Sequence, residues 1–286
     1  SIYLRGSGVV APSVYLHWLC RHSPVRKYRQ PESYYVLDVT ILNEFQVASV
    51  IAPIIGSLGA QYMLDPDTNA AGLAAGYSSS FAFYFAGRGG VLGDVDADVV
   101  YAAFMFFDRA LIEKLWIRGI AVEGARAAGK RYMQCCDDWG RKHLSNVSEL
   151  KKFVAPAEKL VKSIDVAGLS LFAAVRAEPL PTDQPALAYR LIDLLRELRG
   201  CYHIAALVSH GLSGLQATLA GENDESIAKL HGWAPPYPDC SGFVEQRQAA
   251  EVTTNNAMGR AIAAALTTDE MNQLATQTIR IQKELS

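Results

Sequence analysis

Apolar positions recur along this chain mostly with the 3.6-residue period of helices, and rarely with the two-residue alternation of half-buried strands. The clearest stripe is Leu187, Leu191, Leu194, Leu195 and Leu198, opened by Thr182 and Asp183 as caps. After Arg199-Gly200 a more uniformly apolar helix is expected from Tyr202 through Leu219. Upstream, Phe45, Val47, Ile51, Ile54, Ile55 and Leu58 form another helical stripe, with Pro53 marking a kink or restart. The turn Asp65-Pro66-Asp67 follows, and Asn69 or Asp67 is expected to cap a helix running through Tyr77.

Ser78-Ser79-Ser80 opens an aromatic helix that Gly87-Arg88-Gly89-Gly90 is expected to end, because glycine supplies C-terminal stops. A helix from about Ala97 to Arg118, capped by Asp94 or Asp96, is apolar almost all round through Phe107 and is therefore expected to be central. Residues 122–144 and 147–174 continue the helical period, and Glu178-Pro179-Leu180-Pro181 reads as the clearest internal linker. The last helix, Thr268 to Leu285, starts with Asp269-Glu270 and ends with Arg280 and Lys283, as the helix dipole prefers. Only Tyr34 to Val39 and a region around Cys240 look extended, so no alternation of strand and helix supports a parallel sheet. The pattern predicts a mainly α protein, a multi-helix bundle.

Composition adds little to that picture but narrows the function. Half of the residues are apolar and a fifth charged, so a folded chain is expected rather than a disordered one. The net charge of -2 gives no electrostatic footprint for phosphate backbones, and nucleic acid is not expected as a partner. The local basic patches Arg126 to Arg131 and Arg141 to Lys152 read as solvated helix faces. Apolar runs such as Val47 to Leu58 and Ala97 to Phe107 fall short of the roughly 20 residues that span a bilayer. Ser1 to Trp18 lacks the charged start and cleavage site of a signal peptide, so no membrane association and a cytoplasmic location are expected. Five cysteines without framework spacing are expected to stay reduced.

Several motifs invite chemistry. Gly87-Arg88-Gly89-Gly90 offers amides for a phosphate, but no strand precedes it and no Lys-Ser/Thr follows. Arg88 remains, beside Tyr84 and Phe85, as a clamp for a ligand carboxylate or a partner for Asp94. His203 and His210 are seven residues apart, about 10 Å along a helix, too far to share a metal. His203, with Arg199 and Tyr202, presents one acid-base group and one anion clamp. His17, Cys20 and His22 lack a fourth ligand, and no metal site is assigned. Cys135-Cys136-Asp137-Asp138 reads as a helical turn with a solvated acidic edge. The rings of Phe81, Phe83, Tyr84, Phe85, Tyr101, Phe104, Phe106 and Phe107 flank Arg88 as core or as the wall of a pocket.

The runs from Tyr84 to Gly93, Leu171 to Val175, Leu195 to Gly200, His203 to Leu207 and Gly211 to Leu215 together resemble a family. It is an uncharacterised, actinobacterial-type, all-helical family with a helix-turn-helix, winged-helix-like fold, and the similarity covers roughly Leu42 to Leu285. The resemblance implies a degenerate winged-helix-like C-terminal unit, in which Gly232-Trp233 matches the usual opening. Pro235, Pro236 and Pro238 stand where an acidic helix start is expected, and a basic recognition helix is missing there. The organisation is thus an N-terminal extension (1–41), a helical body (42–220), and a winged-helix-like unit with a closing helix (221–286).

Three functions are consistent with these residues. The first is binding of a small, partly apolar or aromatic ligand in an inter-helix pocket lined by Tyr84, Arg88, Phe104, Phe107, Arg199, Tyr202 and His203. The second is an isomerase, cyclase or hydrolase in that pocket with His203 as catalytic acid or base; no cofactor is identified by the sequence. The third is a transcriptional regulator. A homodimer through the face from Gly211 to Leu219 fits any of them.

Overall fold

A computed structural model describes residues 41–222 and 225–285, so the N-terminal extension, with Tyr34 to Val39 and the trio His17, Cys20 and His22, lies outside the described residues. Every regular element among the described residues is helical. Helix α1 (Glu44–Leu58) is followed by a 3-10 turn (Gln61–Leu64), then α2 (Pro66–Ala74), α3 (Ser80–Gly90), α4 (Ala97–Ala103), α5 (Arg109–Glu123) and α6 (Ala125–Leu144). Next come α7 (Leu150–Ser163), α8 (Ser170–Ala177), the long α9 (Gln184–Ser209), α10 (Gly214–Glu222), α11 (Glu225–Leu230), α12 (Val244–Ala265) and α13 (Thr268–Glu284).

Local chemistry sets the helix starts. Asn43 and Gln46 close a reciprocal capping box on α1, and Thr267 with Glu270 does the same on α13. Asp183 caps α9, accepting from the Ala186 amide, as expected. On α2 the cap is Asp65, not Asn69 or Asp67, because Pro66 occupies the first helical position and leaves Asp65 facing the free amides. Pro53 sits within an unbroken α1.

Two boundaries differ from the sequence expectation. The helix expected from Ala97 to Arg118 is two helices, since the chain turns at residues 104–108 and Asp108 caps α5 through the Leu111 amide. Conversely, Arg199-Gly200 is no break: α9 runs through both, and the stop comes at Gly211, whose φ of +74° suits glycine.

Helix α9 is the axis of the molecule. It packs against α6, α7, α8, α12 and α1, with Leu191, Leu194, Leu195 and Leu198 fully buried. Helices α12 and α13 return to cover α1, and α13 also covers α7. Residues 221–286, expected as a winged-helix-like unit plus closing helix, contain helices and an irregular stretch between His231 and Cys240, with no strand among the described residues. The stretch Glu44–Ala74 is long and apolar enough by composition to cross a membrane, but the turn at Gln61–Leu64 interrupts it and most of it is buried within the protein.

The face expected to dimerise is covered by the chain itself. Leu212, Ala217 and Leu219 are buried in small clusters with Met105, Ala250 and Cys240. A Cβ at Gly214 would lie 1.7 Å from the Met105 carbonyl oxygen, so α10 begins in direct contact with the 104–108 turn.

Candidate nucleic-acid interface

Helices α3, α5 and α6 form a three-helix unit in which α3 packs against both of the others. The glycines at the end of α3 belong inside the helix. A Cβ at Gly87 would meet the Tyr132 ring at 2.5 Å, and one at Gly90 would meet the Ala125 carbonyl oxygen at 2.2 Å. They therefore let α6 approach α3 to backbone contact, and the phosphate-loop geometry is absent. The α5–α6 connection is a single residue, Gly124, at φ +83° and ψ 156°, a region closed to other residues. Its amide ends α5 on the Ile120 carbonyl, and its carbonyl starts α6 on the Ala128 amide. Two helices joined by one sharp turn result.

Helix α6 is divided cleanly. Ala128, Tyr132, Met133, Cys136, Asp137, Trp139 and Gly140 face inward, whereas Arg126, Ala127, Lys130, Arg131, Gln134, Asp138, Arg141 and Lys142 face solvent. Arg126 to Lys142 covers about 24 Å at 1.5 Å per residue. The first basic patch and the start of the second, Arg141 and Lys142, thus lie along one exposed face of α6, and Lys114 and Arg118 are exposed on α5. Glu123 holds Arg131 bidentately at 2.9 and 2.8 Å, and that contact keeps the Glu123 carboxyl below its usual range. Asp183 and Asp138 pair with Arg141, and Asp67 with Lys142. Among the described residues, Lys114, Arg118 and Lys130 have no ion-pair partner. Exposed pairs of this kind contribute about 0–1 kcal/mol, so phosphates can displace them at small cost.

The residues expected to line a pocket fall into two groups. Arg88 is buried at the end of α3; its Nε and Nη2 donate to Glu197 at 3.0 and 2.6 Å, its Nη1 donates to the Tyr84 hydroxyl at 3.1 Å, and its guanidinium lies over the Phe104 ring at 4.4 Å. Glu197 occupies the place expected for a ligand carboxylate. Tyr84, Phe104 and Phe107 belong to the buried ring cluster around it. The two sequence signatures do meet, through the Arg88–Glu197 pair.

Arg199 and His203 sit further along α9, against α12. Arg199 Nη2 donates to Glu251 at 2.5 Å; His203 Nδ1 lies 3.1 Å from the Thr254 hydroxyl and Nε2 lies 3.6 Å from Glu251. The Phe106 ring lies nearly parallel to the imidazole, with centroids 6.0 Å apart. Burial pushes the His203 imidazole down to about 4. Tyr202 is half-buried beside the main core, and burial raises its hydroxyl.

Sequence reasoning missed Glu197, Arg190 and Asp193, three charges on the inward face of α9 that are all about 99 % buried. The signal was present as polar residues interrupting a leucine stripe, but outward and inward polar positions look alike in sequence.

The profile of a helix-turn-helix family matches residues 50–239, about two thirds of the chain. The chain belongs to that helix-turn-helix family. No curated protein and no solved structure matches it. The match covers α3, the α5–Gly124–α6 turn and α9. It overturns the expectation, drawn from net charge, from reading the basic patches as solvated faces and from the missing basic recognition helix, that nucleic acid is not a partner. Net charge averages over the whole surface, whereas a nucleic acid meets one face, and α6 of this helix-turn-helix protein exposes Arg126, Lys130, Arg131, Arg141 and Lys142 on its solvent side.

Proposed function

We propose that this helix-turn-helix protein is a transcriptional regulator that binds duplex DNA, with α6 as the helix that enters the major groove. The observation that carries the reading is the solvent face of α6, which follows a one-residue turn and presents Arg126, Ala127, Lys130, Arg131 and Gln134 in consecutive turns. Arginine and lysine suit guanine edges, glutamine suits adenine, and a small apolar residue admits the thymine methyl. Arg141 and Lys142, further along the same face, and the exposed Lys114 and Arg118 of α5 are assigned as phosphate contacts. Selection of tight-binding duplexes from a random pool, followed by anisotropy titrations at several salt concentrations, tests it. Affinity should fall steeply with salt, by counterion release. Substituting Gln134→Ala should cost about 1–3 kcal/mol on the selected duplex and relax one base position. A selected pool without consensus, or an affinity indifferent to salt and to substitutions on α6, would refute the proposal.

A second reading keeps a small, partly apolar ligand, but at Arg199, Tyr202 and His203 alone. Its support is the Arg199 Nε, buried without a hydrogen-bond partner, beside an imidazole whose second nitrogen also lacks a hydrogen bond.

A further inference from the structure

The α9–α12 seam holds a set of hydrogen-bonding atoms that its own side chains leave incomplete. The Thr254 hydroxyl donates its single hydrogen to the Ala250 carbonyl at 2.7 Å, so its oxygen accepts from His203 Nδ1 at 3.1 Å. That fixes the neutral tautomer with Nε2 as a bare acceptor. Nε2 faces Glu251 Oε1 at 3.6 Å, another acceptor, while Glu251 Oε2 already receives Arg199 Nη2. Two lone pairs therefore confront each other with no hydrogen between them. Beside them Arg199 Nε is a buried donor with no acceptor.

A proton on His203 would resolve the confrontation only by burying an imidazolium. Glu251 favours that form, but burial and the positive charges of Arg199 and Arg247 oppose it, and the ring stays neutral. Carboxylate ligands would meet Glu251, and ammonium ligands would meet Arg199 and Arg247. A hydroxyl supplies both missing halves at once, donating to His203 Nε2 or Glu251 Oε1 and accepting from Arg199 Nε. Phe106 lies against the imidazole, and Met105, Ala206 and Leu207 form an adjoining apolar cluster, so the surroundings of these unpaired atoms are apolar.

We propose that this seam binds a small neutral molecule with a hydroxyl group on an apolar, ring-sized body. The proposal rests on the small-ligand reading above and narrows it to one chemical class. The test is nitrogen-15 NMR of the His203 ring in the full chain at neutral pH, titrated separately with phenol, benzoate and benzylammonium. Without probe, Nε2 should carry no proton, and phenol should shift its resonance while the two charged probes do not. Arg199→Lys, which keeps a charge beside Glu251 but lacks Nε, should weaken phenol binding about fivefold, the worth of one hydrogen bond. An Nε2 already protonated at neutral pH overturns the proposal, as does phenol binding unchanged in Arg199→Lys. A shift with benzoate or benzylammonium and none with phenol overturns the hydroxyl class while the ligand reading stands. No shift with any probe overturns both.

Discussion

Helices α6 and α9 pack on each other, and each carries a line of charged side chains, yet the two lines do opposite work. On α6 the charges face solvent and meet partners that any competing anion can replace. On α9 the line Arg190, Asp193 and Glu197 faces inward. Glu197 is shared between Arg88 and Arg196, and Arg190 reaches the Met133 carbonyl and Asp137 at 2.8 Å on the inner side of α6. Asp193, fully enclosed, has neither oxygen hydrogen-bonded, and burial pushes its carboxyl up to about 7. The same residue types thus form a replaceable surface in one helix and a costly internal frame in the other, since desolvation rather than Coulomb attraction decides the difference.

Breaking the inner line should produce the largest effect. Glu197→Ala leaves Arg88 charged in the core and should lower unfolding stability by about 3–5 kcal/mol in a denaturant titration. A loss below about 1 kcal/mol would place this pair with the surface pairs and dissolve the contrast. Asp193→Asn sharpens the same contrast through pH. Between roughly pH 4 and pH 7 the folded chain keeps on Asp193 a proton that the unfolded chain releases, so this carboxyl makes stability fall as pH rises across that window. The asparagine variant should therefore gain on the parent from pH 4 to pH 7, by about 2 kcal/mol or more. Comparing variant with parent is needed, because His203 and His231, both held near 4 by burial, act with the opposite sign. A difference flat in pH would show that Asp193 ionises normally.

Gly124→Ala should cost about 1–3 kcal/mol, because no other residue adopts that backbone comfortably. It should also reduce DNA affinity at salt concentrations where the fold persists, since the α5–α6 angle depends on this residue. The outer line should give the smallest stability change. Lys142→Ala, which removes the exposed pair with Asp67, should alter stability by at most about 1 kcal/mol yet lower the salt dependence of DNA binding by about one phosphate. Unchanged salt dependence would remove Lys142 from the interface.

Much of the helical framework was legible, because caps and apolar spacing act locally: Asp183, Asp269-Glu270 and the leucines of α9 stand where the pattern puts them. The errors share one physical origin. Gly87-Arg88-Gly89-Gly90 does stand at the end of α3, as expected, but the glycines' other role, admitting α6, depends on a contact from 35 or more residues away. Arg88 read as a ligand clamp because its partner, Glu197, lies 109 residues later. Likewise the basic residues of α6 were visible, but their gathering on one edge depends on which face α3 and α9 cover. Arg199 and His203 could be paired from their spacing on one helix, whereas Glu251 and Thr254, which they contact, come from α12.

The backbone amide of Leu42 donates to the Asn272 side chain, 230 positions along the chain, and α1 is covered by α12 and α13. This stretch, the one among the described residues apolar enough to cross a membrane, is therefore made well before α12 and α13, which cover it. On a ribosome it must wait for about 200 further residues, at roughly 5–20 per second, before its native cover exists. That interval is when this chain is most exposed to aggregation, so removing α13 should harm yield in cells well beyond what its own helix contributes to the finished fold.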